Sequence, residues 1–239
     1  MSNSVAAIVL AGGSGSRVQR DVNKVYIPVH DRDLLEYSLE TMDRSPRISL
    51  VALVVREEDQ ARAETLIGEA LPSKLTHVVT GGASRHLSEM AGLNALRAAI
   101  ESGEIDYVAI HDGARPFMTL RLLHALIDAA MEHGGAIPGL TISGPLYRTT
   151  EYGAELLPPD TLRRVQTPQI FRARPLLAAY EASIEVGFEG VDTAETVERF
   201  SDLDVLVVPG DPRNIKVTFV EDFFTAEEYA LEWEKGEWI

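Results

Sequence analysis

The chain predicts an α/β fold: a single Rossmann-like, mainly parallel twisted sheet with helices on both faces and a protruding dimerisation arm. Three observations predict it. Short apolar runs alternate with longer stretches whose apolar residues recur at spacings of three and four. The 239 residues suit one large domain, 1–239, better than two small ones. A stretch rich in Gly and Pro breaks the alternation once. Alternating strands and helices need crossover connections, which make the strands parallel and cover both faces.

In chain order, Val5–Leu10 reads as the first buried strand and Leu34–Met42 as the first helix. Leu50–Val55, Val78–Val79 with its flanks, and Tyr107–Ile110 read as further strands. Between and after them, Glu58–Ala70, Ser88–Glu101 and Leu120–Glu132 carry the helical period. From Gly134 to Pro168 the pattern fails, punctuated by Pro138, Gly139, Gly144, Pro145, Gly153, Pro158 and Pro159. An extended arm or hairpin over 138–168 is expected there. An arm that buries little of its own surface packs on something, and a symmetric partner subunit is the economical choice. Val205–Val208 reads as a last strand. Glu221–Trp233 reads as an acidic amphipathic helix with Phe223, Phe224 and Tyr229 on its apolar side.

A net charge of −15 argues against nucleic acid as a partner, because phosphate backbones attract basic surfaces. It leaves open a small phosphorylated ligand held by a local cluster of basic groups and backbone N–H donors. The absence of cysteine removes disulfides, thiolate metal sites and cysteine nucleophiles. No basic leader precedes an apolar run at the start, and no apolar stretch nears the roughly 20 residues of a membrane span. A cytoplasmic enzyme without membrane contact is therefore expected.

The first strand leads into Ala11-Gly12-Gly13-Ser14-Gly15-Ser16-Arg17. Glycines at Gly12, Gly13 and Gly15 let backbone N–H groups approach a ligand together. Arg17, with Lys24 after it, could hold a triphosphate and neutralise charge developing on its α-phosphate. A tight strand-to-helix turn with surface basic residues is the plainer alternative. A P-loop is excluded because no Gly-Lys-Ser/Thr closes the loop, and a dinucleotide fingerprint because Val18 stands where a small residue is needed. Further on, Tyr107–Ile110 leads through His111 to Asp112-Gly113-Ala114-Arg115. A carboxylate just past a central parallel strand enters the ligand crevice, and Asp112 suits magnesium held jointly with substrate phosphates. Arg115 could grip a second phosphate with its planar fork. The alternatives are an Asp112 that caps the turn beside a surface Arg115. His111 reads either as a packed, hydrogen-bonded histidine or as a base.

These segments, with Gly81-Gly82-Ala83-Ser84-Arg85, Thr167-Pro168-Gln169 and Asn214-Ile215-Lys216-Val217-Thr218, make the chain resemble the 2-C-methyl-D-erythritol 4-phosphate cytidylyltransferases of non-mevalonate isoprenoid synthesis. The resemblance runs in order over nearly the whole chain. It implies transfer of CMP from CTP to a small sugar-alcohol phosphate with release of pyrophosphate, no covalent intermediate, a divalent cation such as magnesium, and a homodimer. Arg17 and Lys24 would stabilise the pentavalent α-phosphate. Ala11, Gly82, Ala83 and Ser88 would read the cytosine. Asp112 would hold the metal and help place the acceptor, which Arg115, Thr167 and Lys216 would contact.

The chain departs from the family in the arm. The usual Pro-Val-x-Asp-Thr-x-Lys run stands as Leu140-Thr141-Ile142-Ser143-Gly144-Pro145-Leu146-Tyr147. Pro159 replaces an arginine normally supplied across the dimer, with Arg148, Arg163 and Arg164 as substitutes, and Ala83 replaces an acidic residue. The ribitol-5-phosphate cytidylyltransferases share the His-Asp-Gly and Asn-Ile-Lys segments and also lack the Asp-Thr-x-Lys run. They are the nearest alternative. A guanylyltransferase lacks the last two motifs, and a nucleotide-binding paralogue with impaired catalysis would sit poorly with intact Arg17, Lys24 and Asp112.

Overall fold

The computed structural model describes residues 3–13, 23–69 and 73–236. In order, these form β1 (Val5–Leu10), the short pair β2 (Pro28–Val29) and β3 (Arg32–Asp33), α1 (Leu34–Arg44), β4 (Ile48–Val55), α2 (Gln60–Glu69), β5 (Leu75–Thr80), α3 (Arg85–Ser102), β6 (Tyr107–Asp112) and α4 (Leu120–His133). Then follow β7 (Gly134–Thr141), β8 (Leu146–Thr150), β9 (Gly153–Leu157), β10 (Arg163–Val165), β11 (Gln169–Arg172), α5 (Ala173–Glu185), α6 (Thr193–Phe200), β12 (Asp204–Pro209) and α7 (Asp222–Glu234).

An eight-stranded sheet runs β10-β7-β11-β6-β1-β4-β5, with β12 on the free edge of β7. Strands β4, β1 and β6 are parallel, as are β4 with β5 and β12 with β7, whereas β11 and β10 run antiparallel to their neighbours. The alternating side chains of β1 explain why it is buried on both faces: Val5, Ala7 and Val9 enter a core with α1 and α4, and Ala6 and Ile8 enter one with α3, α5 and α6. A third cluster of Leu34, Tyr37, Phe117, Val217, Ala226, Ala230 and Trp233 docks α7 and the segment before it onto α1. Fully burying Val217 there contributes about 1.5–3 kcal/mol and fixes the backbone next to Lys216.

Helix starts follow their caps: Ser84 accepts from Leu87 N, Thr119 from Leu122 N and Asp192 from Glu195 N. Gly103, at φ 81°, closes α3 in the left-handed conformation that glycine tolerates.

The structure narrows the expected arm or hairpin over 138–168 to its middle, because both ends lie in the main sheet. Residues 134–141 form β7 within the main sheet, and 163–165 join its edge as β10. Between those ends the β8–β9 hairpin pairs outside that sheet, with Tyr147, Tyr152 and Leu156 exposed. Its glycines made β7 read as loop, yet neighbouring side chains occupy the space they leave. A Cβ on Gly135 would lie 2.7 Å from the Phe171 ring, and one on Gly139 2.6 Å from Val207. Helices α5 and α6 lacked an assignment in the sequence. In α7, Phe224 is exposed rather than on the apolar side, because Ala226, Ala230 and Trp233 make the buried stripe. No helix among the described residues is long and apolar enough to cross a membrane.

Candidate active site

The loops after β1, β5 and β6 meet at the carboxyl ends of the central strands, where open parallel sheets bind ligands. Backbone bonds hold them there: Ala11 N donates to Val54 O at 2.7 Å, Gly81 N to Val55 O at 2.7 Å and Gly113 N to Leu10 O at 2.8 Å. Between them opens a cleft of 340 Å³ whose lining includes Gly12, Gly13, Lys24, Gly82, Ala83 and Ser88. A smaller lobe of 170 Å³, lined in part by Arg115, Thr167 and Asp192, adjoins it. Arg85, Asp112 and Lys216 line both. Among the sequence-predicted residues, Ser14, Gly15 and Arg17 lie outside the described residues.

Lys24 opens a short helical turn and is 9% exposed. Its position follows from Asn23, which donates to Ala11 O at 2.6 Å and to Asp59 at 2.9 Å, while Arg56 grips Asp59 from the other side. The two described ends of the phosphate loop are thus stapled together. Gly82 must be glycine, since a Cβ there would stand 2.3 Å from the Leu87 Cβ. The Ser88 hydroxyl donates to Ser84 O at 2.8 Å, which leaves its lone pairs as acceptors.

Asp112 is the electrostatic centre. Lys216 Nζ lies 2.6 Å from its Oδ2, Arg85 3.4 Å from Oδ1 and Arg115 Nε 3.9 Å from Oδ2. Burial opposes the ionised form, but Lys216 and Arg85 outweigh it and hold the carboxyl well below the usual range. Arg115 donates to Asn214 O at 2.8 Å, and Gln166 holds the same loop through Asp211 O and Asn214 O, both at 2.9 Å. These bonds explain how Lys216, remote in sequence, reaches Asp112. Arg115 Nε is buried with no aligned hydrogen-bond acceptor among the described residues, whereas Arg85 Nη1 is taken by the Glu89 carboxylate. A buried donor without an aligned acceptor is costly, and one beside the smaller lobe suits an anion.

His111 is fully buried. Its Nε2 faces Arg115 O at 3.1 Å, a group that can only accept, so Nε2 carries the proton. Nδ1 then accepts from the Thr167 hydroxyl at 3.2 Å, which in turn accepts from Asp112 N at 3.0 Å. Burial pulls the His111 pKa from 6.5 to about 4. The side chain is a neutral brace within the relay rather than an exposed base. Between those values the unfolded chain binds a proton that the folded one does not, so stability rises with pH from about 4 to 6.5, by on the order of 3 kcal/mol. Denaturant midpoints measured across that window check this, and His111→Gln is expected to lose the component.

The sequence pattern placed Arg85 in a motif without a role, and gave no sign of Asn23, Gln166, Asn214 or Asp192 as site-builders. The motifs around Arg85 and Asn214 were the available signal. Of the three arginines weighed as substitutes in the arm, Arg148 pairs with Glu155 on the hairpin and Arg163 donates to backbone carbonyls. Arg164 lies near enough to Arg115 for its charge to help lower that group's pKa, although burial is the larger cause.

The family model described as 2-C-methyl-D-erythritol 4-phosphate cytidylyltransferase matches residues 5–232. Relatives of that name from Geobacillus kaustophilus and Geobacillus thermodenitrificans are 36% and 38% identical to the chain, covering 92% of it and 94% of each relative. The crystal structure of a 4-diphosphocytidyl-2C-methyl-D-erythritol synthase from Anaerococcus prevotii superposes with a TM-score of 0.84 at 29% identity, covering 96% of this chain and 97% of that one.

Proposed function

The chain belongs to the 2-C-methyl-D-erythritol 4-phosphate cytidylyltransferase family, and we propose that its two-lobed cleft joins the CMP unit of CTP to 2-C-methyl-D-erythritol 4-phosphate. The larger lobe takes CTP, with the backbone at Ala11, Gly82 and Ala83 and Ser88 at the cytosine and the Gly12–Gly13 backbone, Ser14, Gly15 and Arg17 at the triphosphate. The smaller lobe takes the acceptor, whose phosphate meets Arg115, Thr167 and Lys216. A phosphate oxygen of the acceptor attacks the α-phosphorus. The bond from that phosphorus to the bridging oxygen breaks, and pyrophosphate leaves with the electron pair. Lys24 and Arg17 neutralise the charge that builds on the α-phosphate, so alignment and electrostatics supply the rate. The observation that carries this reading is the cationic junction of Arg85, Arg115 and Lys216 around Asp112, where the two lobes meet.

Enzymes of this family generally use a divalent cation. No cluster of three or more His, Asp or Glu suited to a metal exists among the described residues, and Lys216 already takes Oδ2 of Asp112. That donor set fits a magnesium ion held chiefly by substrate phosphates, with Asp112 adding at most Oδ1. Asp112 would help hold the ion there, and its charge would offset that of the substrate phosphates.

The whole chain acts as one nucleotidyltransferase domain. The exposed Tyr147, Tyr152 and Leu156 of the β8–β9 hairpin make it the part of the arm that would pack on a second subunit. Ribitol 5-phosphate remains a second acceptor on one ground: the arm lacks the family's Asp-Thr-x-Lys run and carries Pro159 in place of an arginine. Purified enzyme with CTP, magnesium and each acceptor is expected to release pyrophosphate with methylerythritol phosphate. Strong turnover of ribitol phosphate with none of methylerythritol phosphate would overturn the first assignment.

A further inference from the structure

Glu89 lines neither lobe and has no exposed surface, yet three donors converge on its carboxylate. Arg85 Nη1 lies 2.5 Å away, Thr193 Oγ1 donates at 2.8 Å, and the Tyr180 hydroxyl donates as well. These partners belong to α3, α6 and α5 respectively. Replacing a buried ionic group by apolar side chains is often neutral or stabilising, so stability alone gives little reason for a charge here. The geometry gives another. Arg85 stands between two carboxylates, nearer to Glu89 at 2.5 Å than to Asp112 at 3.4 Å. Thr193, the first residue of α6, follows Asp192, which lines the smaller lobe.

We propose that Glu89 is a positioning residue for the transfer: from beneath the site it holds Arg85 back from Asp112 and fixes the start of α6, so that both walls of the smaller lobe keep their places. Without the Glu89 charge, Arg85 closes onto Asp112, which then has two tight cationic partners instead of Lys216 alone, and the lobe loses a phosphate-facing donor. The nucleotide lobe depends less on this tether, because the Gly82–Ala83 backbone and the Ser84 cap hold it independently.

The inference rests on the cytidylyltransferase reading, and a double-mutant cycle separates the two. Glu89→Gln keeps the size of the side chain and one acceptor oxygen for Tyr180 or Thr193 but removes the charge that pairs with Arg85. It is expected to lower kcat/KM for methylerythritol phosphate about tenfold, with KM for CTP within about twofold of wild type. Combined with Arg85→Gln, it is expected to add nothing to the loss caused by Arg85→Gln alone, because it acts through that residue. Additive losses, or equal losses for both substrates, would overturn the proposal. Glu89→Asp, which restores a carboxylate, is expected to recover part of the rate, a rescue that a purely structural role does not require. If Glu89→Gln does not fold, Glu89→Asp, which draws the carboxylate away from Arg85, takes its place in the cycle. The same cycle read on the affinity for inorganic phosphate needs no turnover. A wild-type enzyme inactive on methylerythritol phosphate thus sinks the substrate reading while the coupling is still decided.

Discussion

Lys24→Ala is expected to lower kcat by about 10²- to 10³-fold while CTP still binds, because a preorganised charge aimed at the transition state is worth that much when removed. The lysine lines the cleft, is 9% exposed and sits on a turn braced by the Asn23–Asp59–Arg56 chain, so its backbone is fixed beside the site. A charge fixed in advance stabilises the pentavalent phosphate without reorganising during the reaction. Pyrophosphate release at saturating CTP and acceptor is the measurement. An unchanged rate would remove Lys24 from the transition state.

Asp112→Asn is expected to be worse still, since it damages both rate and stability. Asparagine keeps the shape but leaves Lys216, Arg85 and Arg115 facing one another without the charge that gathers them. Breaking one side of a buried ion cluster costs on the order of 3–5 kcal/mol, and the two lobes lose the group that sets their junction. A fall in kcat/KM of about 10²-fold or more follows, from misplacement of both substrates. The pH dependence has a definite sign. With the folded carboxyl held below its ordinary range by Lys216 and Arg85 against the opposing effect of burial, its contribution is complete above the unfolded value. It is lost as pH falls through the folded one. Denaturant midpoints should therefore separate wild type from variant most at neutral pH and converge in strong acid. A constant gap at all pH values would contradict the ion-cluster account.

Much of the cleft's lining was legible because it is built from short segments. Glycines after a first strand, a lysine at the loop's exit and an aspartate at a strand end each take their place in it through local backbone geometry, which neighbouring residues dictate. The helices read most clearly where one face is apolar and the start is capped, as in α1 and α4. Strand β7 was hidden for the converse reason. Its glycines are required by Phe171 and Val207, side chains from strands far along the sequence, and no local pattern announces them.

Sequence alone determined the α/β class and pointed to Lys24, Asp112 and Lys216, which line the cleft, because those follow from periodicity and motif. Only the tertiary structure decided which charges meet. It carried Lys216 across 104 positions to Asp112 and set Arg85 between that carboxylate and Glu89. It also chose the packed, hydrogen-bonded reading of His111 over a base and placed the two ends of the expected arm, 138–141 and 163–165, in the sheet. The physical reason is range: propensity and capping act within a few residues, whereas the energy of a charge depends on what surrounds it in space and on how much water is excluded there.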